Sequence, residues 1–69
     1  PNHYTWRDCG ETLELIETFV KNQTDPYLAF GEGNVLKYLV RYPKKNGVED
    51  LKKAREYLNR MIEHMEDEK

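Results

Sequence analysis

Pro26 and Pro43 bracket the stretch of this chain in which apolar and polar residues separate most cleanly, and that bracket limits how the remainder can fold. Proline lacks an N–H and has a fixed φ, so it suits the first turn of a helix and pushes its predecessor out of helical geometry. Asp25-Pro26 therefore reads as an N-cap followed by the first helical residue, and Tyr42-Pro43 as the helix end. At about 100° per residue, Asn34, Lys37, Tyr38 and Arg41 fall on one side and Val35, Leu36, Leu39 and Val40 on the other. The apolar side is expected to be core and the other side a polar patch, where two cations, an amide and a phenol point at one small anion. Gly31 and Gly33 each cost about 1 kcal/mol relative to Ala in a helix interior. Either the helix breaks there or something approaches its backbone closely. A break would put Asn34 near a fresh helix N-terminus, whose N–H groups attract anions.

Two further helices flank this one. Asp8 with Glu11 has the form of a capping box and predicts a helix over 8–21, with Leu13, Leu15, Ile16, Phe19 and Val20 on one face. Asn46 with Glu49 forms a second box and predicts a helix over 47–66, with an apolar stripe of Leu51, Ala54, Leu58, Met61, Ile62 and Met65. Asp50, Lys53 and Tyr57 lie on one flank of that stripe. They make either a surface ion pair between Asp50 and Lys53, or a flank that faces Lys37 and Arg41 across the short loop. The second arrangement makes the helices over 26–42 and 47–66 antiparallel neighbours. Residues 1–7 have no helical period and carry His3, Tyr4 and Trp6, so they read as an extended arm whose rings dock against the helices. The expected fold is all-α, a single three-helix domain over 1–69 with an N-terminal arm.

At 69 residues the chain supports only a thin core, and its single Cys9 allows no internal disulfide. Dense helix packing or self-association is left to supply stability, so a homo-oligomer is expected. The lone cysteine fits a reducing cytoplasm, and no apolar run approaches a membrane span or signal peptide. The sequence opens on Pro1 rather than Met, so at least an initiator residue precedes it. Eleven Lys and Arg against thirteen Asp and Glu argue against a broad nucleic-acid footprint. Yet Lys37, Arg41, Lys44 and Lys45 occur with no acid among them, which suits a small anionic ligand.

Other chemistries lack parts. No Cys/His cluster suggests a metal, and His64 reads as an exposed residue on a polar helix end. There is no Ser for a nucleophile elbow, and Cys9 has no evident base. Glu11, Glu14 and Glu17 could hold Mg²⁺ only opposite a second acidic pair, where the next helix offers Glu32 alone.

The string from Gly33 to Arg41 (GNVLKYLVR), then Lys44/Lys45, Gly47 to Ala54 (GVEDLKKA) and Tyr57-Leu58, with His3-Tyr4 at the front, resembles a phage-encoded family. That family is known as domain of unknown function 3310 and is also described as phage nucleotide kinase-like. The resemblance implies a cytoplasmic protein of an infected bacterium. It also implies that His3, Tyr4, Asn34, Lys37, Tyr38, Arg41, Lys45, Asp50, Lys53 and Tyr57 are the characteristic polar positions. Three functions follow as expectations. The first is a module that binds a nucleotide or nucleotide-derived defence signal without chemistry, with Lys37, Arg41 and Lys45 on phosphates, Tyr4, Trp6 or Tyr38 stacked on a base, and Asn34 and Asp50 reading polar edges. The second is a small nucleoside monophosphate kinase, which alone would need ATP and Mg²⁺. The third is an inhibitor of a host protein that uses Tyr4, Trp6, Tyr27 and Tyr42 as anchors. So short a protomer has room for one nucleotide more readily than two.

Overall fold

The computed structural model describes residues 9–68, which form α1 (Cys9–Val20), α2 (Pro26–Arg41) and α3 (Val48–Asp67), with no strand among them. The expected arm, and with it His3, Tyr4, Trp6 and the Asp8 cap, lies outside the described residues. The second helix begins as its sequence dictates. Asp25 is extended, and its Oδ1 accepts hydrogen bonds from the N–H groups of Tyr27 (2.9 Å) and Leu28 (3.3 Å). Pro26 in the first turn has no N–H to satisfy.

The helix does not break at its glycines. α2 runs unbroken through Gly31 and Gly33, and both are sites of close approach. A Cβ on Gly31 would sit 2.5 Å from Met61 Cγ and 2.6 Å from Met61 Sδ, whereas one on Gly33 would sit 3.3 Å from Ile16 Cγ2. Two positions apart on a helix means about 200° around it, so α3 and α1 pack on opposite sides of α2. Asn34 is accordingly mid-helix, and its Nδ2 donates to the Phe30 carbonyl (3.0 Å) rather than lying at a free N-terminus.

The entry to α3 also differs from expectation. The Asn46 side chain does not cap the helix, although its carbonyl accepts from the Glu49 N–H (3.0 Å). The N-cap is Gly47, whose φ of +53° is reached readily only by glycine, and it delays the helix start to Val48. That shift makes Asp50, not Glu49, the third helical residue. Asp50 reaches back to accept from the Asn46 N–H (3.4 Å) and the Asn46 side-chain amide (3.3 Å).

Contacts at both ends show α2 and α3 to be antiparallel. Asp25, before α2, meets His64 near the end of α3, while Arg41, at the end of α2, meets Asp50 in the first turn of α3. With α1 and α3 on opposite sides of α2, the helices form one layer, and the shortest principal dimension is only 9 Å. A single layer has no interior in which to bury an apolar face. Among the described residues the buried ones are accordingly Gly31, Tyr38 and Ala54, with Thr12 and Asp50, while Leu39, expected in the core, is 42% exposed. The polar side of α2 meets α3, and on its apolar side Val35, Leu36 and Val40 are half-buried. No helix among the described residues is long and apolar enough to cross a membrane.

Candidate functional site

Asp50 organises the junction of α2 and α3. Its side chain is completely buried and accepts from Arg41 through Nε (3.3 Å) and Nη2 (3.4 Å), in addition to Asn46. Burial by itself would raise the Asp50 pKa. The Arg41 guanidinium and the two Asn46 donors together outweigh that effect and hold the carboxyl below the usual range. An ion pair between Asp50 and Lys53 therefore does not form. Arg41, expected to grip a ligand with its whole fork, spends two donors on Asp50, so its first role is structural.

Beside this pair, cations gather round one ring. Lys37 Nζ lies 4.6 Å from the centroid of the Tyr38 ring, Arg41 Cζ 5.1 Å and Lys53 Nζ 5.8 Å. Lys37 and Arg41 are four residues apart on α2, and Lys53 comes from the facing turn of α3, which is why an antiparallel pairing unites them. The negative face of an aromatic ring offsets part of their mutual repulsion. Tyr57 stacks against Tyr38 at 6.1 Å and 25°. With Asp50 balancing one cation, the cluster carries an excess of two positive charges. Because Tyr38 is buried among these groups, it is not an open platform for a ligand base.

The open aromatic surface lies on the other side of Tyr57. A cleft of about 200 Å³ is lined by Tyr27, Phe30, Gly31, Glu56, Tyr57, Arg60 and Met61. Phe30 meets Tyr57 edge to face at 5.9 Å. Of these residues, sequence reasoning placed only Tyr57 in the site. The available signal was Gly31, read as either a break or a close approach, which lets α3 come near and leaves Phe30 and Tyr57 standing as walls. Tyr57 is thus shared between cation cluster and cleft.

The remaining sequence-derived residues divide plainly. Asn34, Lys37, Tyr38, Arg41, Asp50, Lys53 and Tyr57 fall along the α2–α3 seam or beside it, although the Asn34 amide is turned to its own helix. Lys45 is exposed in the turn over 42–47. His3 and Tyr4 lie outside the described residues.

His64 is not simply exposed. Its Nε2 lies 2.7 Å from Asp25 Oδ2 and 3.2 Å from Glu68 Oε2, and its ring packs on Tyr27 at 4.5 Å. The hydrogen bond with Asp25 raises the His64 pKa against the opposing effect of burial, and the same bond lowers that of Asp25. These three residues bring potential ligand atoms within 4.8 Å of one another. Their charges already account for the arrangement as a clasp between the start of α2 and the end of α3.

A family model described as "Protein of unknown function (DUF3310)" matches residues 1–59, and the chain belongs to that family. No curated protein and no solved structure matches it.

Proposed function

We propose that the α2–α3 seam binds a nucleotide or a nucleotide-derived small molecule, with the planar base in the Phe30/Tyr57 cleft and phosphate on Lys37 and Lys53. The observation that carries this reading is the adjacency of the two features across one residue, Tyr57: an aromatic cleft on one side and two uncompensated positive charges on the other. Size supports the division of labour. Ligand pockets ordinarily measure about 300–1,000 Å³. A cleft of about 200 Å³ suits one ring system, so the phosphates would have to lie outside it, on the cation cluster. The donors left over from the Arg41–Asp50 pair would add to phosphate binding. The same size argument favours binding over phosphoryl transfer, which requires a donor nucleotide, an acceptor and charge neutralisation in one site. Sequestration of a nucleotide signal in a phage-infected cell is the biological setting that the sequence resemblance suggests. An overall excess of acidic residues makes polynucleotide a poorer candidate.

The test is a panel of nucleoside mono-, di- and triphosphates and cyclic or linked nucleotides, scored by thermal shift and then by equilibrium dialysis. At least one should bind. Lys37→Glu and Lys53→Glu should each weaken it about tenfold or more, corresponding to about 1.5 kcal/mol for a charge-assisted hydrogen bond. Binding that survives both reversals unchanged would exclude this site. Turnover of ATP and a monophosphate would replace the reading with the kinase one.

A further inference from the structure

We infer that a second copy of this chain covers the apolar face of α3, forming a two-fold dimer whose two basic clusters point away from each other. On α3, Leu51 and Leu58 lie about 140–160° round the helix from Lys53. The layer therefore has a basic side and an apolar side. Leu51, Leu58, Ile62 and Met65 are exposed by between 38% (Leu51) and 55% (Met65). Together they present on the order of 400 Å² of apolar surface, the size at which a patch marks an interaction site. A standard interface takes about 800 Å² from each partner, a little over half of it apolar, so this face matches one side of a stable dimer.

Charge points to a second copy as the occupant. Leu51, Leu58 and Met65 recur every seven residues on a 20-residue helix, forming a straight seam. Lys52 and Arg55 border the first half of that seam, and Glu66 borders the second half. Two α3 helices packed antiparallel, with the two-fold axis near Asn59, set Lys52 and Arg55 of each copy against Glu66 of the other. The surface is complementary to itself, as an isologous interface requires. The second layer also supplies the interior that one layer of helices lacks. The clusters around Tyr38 stay outside the interface, so each protomer keeps a whole site.

Sedimentation of the full chain without nucleotide tests this at tens of micromolar, where a stable dimer is populated. A dimer is expected, and Leu58→Glu with Ile62→Glu should yield a monomer that keeps its helical circular dichroism, because both side chains are already about half exposed. Arg55→Glu should weaken association at least fivefold, and adding Glu66→Arg should restore it. A monomeric parent would overturn the inference, as would a dimer untouched by the Leu58/Ile62 pair or a charge swap without rescue. A parent that is monomeric until residues 1–8 are deleted would assign the face to the chain's own N-terminal segment instead. None of these readings uses a nucleotide, so failure of the nucleotide proposal leaves them interpretable.

Discussion

Replacing Gly31 with alanine tests the α2–α3 seam at its closest point, and Gly33 in the same helix provides the control. Alanine is favoured over glycine in a helix interior by about 1 kcal/mol. At Gly33 the new Cβ would lie 3.3 Å from Ile16 Cγ2, which must yield by a few tenths of an ångström. Most of the propensity gain should survive, and Gly33→Ala should be neutral or stabilise by up to about 1 kcal/mol. At Gly31 the new Cβ would lie 2.5 and 2.6 Å from Met61 Cγ and Sδ, about 1 Å inside normal contact. Overpacking of that kind costs about 1–3 kcal/mol, so Gly31→Ala should be neutral at best and destabilise by up to about 2 kcal/mol. Gly31→Ala should therefore be the less stable of the two by up to about 3 kcal/mol, each kcal/mol being about 4–8 °C in Tm for a domain of this size. Denaturation at fixed protein concentration reads the difference. Met61→Ala should abolish the penalty, so that Gly31→Ala becomes stabilising in that background. If Gly31→Ala stabilises as much as Gly33→Ala in both backgrounds, α3 does not cross α2 at Gly31 and the floor of the cleft is wrongly drawn.

Asp50→Asn should lower Tm more than any lysine-to-alanine change in the cluster, because it leaves the partly buried Arg41 without its counter-ion; thermal melts of the variants decide this. Arg41→Lys should lower Tm as well, since a single ammonium cannot replace the two-pronged contact with Asp50, and an unchanged melt would return Arg41 to a purely ligand-facing role. The clasp between His64 and Asp25 predicts a pH window. The raised His64 pKa adds stability fully present below the ordinary value of 6.5 and lost as pH rises through the folded value. Asp25, lowered from 3.8, adds stability present above that value and lost as pH falls through its folded pKa. Tm measured with a chelator present should thus fall as pH rises above 6.5 in the parent and stay flatter in His64→Gln.

The fold was legible where local chemistry decides it. Asp25-Pro26 and Tyr42-Pro43 marked the ends of α2, and the flank of Asp50, Lys53 and Tyr57 gave the antiparallel pairing of α2 with α3. Where tertiary contacts decide, periodicity misled. A helical wheel of α2 assigns Leu39 to the core and Tyr38 to the surface, but a one-layer arrangement buries whichever side meets a neighbour, and that side carries Tyr38. The glycines posed a choice between a break and a close approach, and only the position of Met61 resolved it. The start of α3 was missed because Gly47, at positive φ, moves the cap by one residue, a backbone effect that a search for side-chain capping boxes does not register. The cation cluster was legible from the spacing of Lys37 and Arg41. The cleft was not, since Phe30 and Met61 read as ordinary apolar residues until the helices are brought together.

Amide chemical-shift mapping during titration with the best nucleotide of the panel tests the proposed site most directly. Perturbations are expected to concentrate at Phe30 and Gly31, at Lys37 to Arg41 and at Lys53 to Met61, with α1 unmoved. Perturbations centred on α1, or no perturbation when the nucleotide is in large excess, would contradict it.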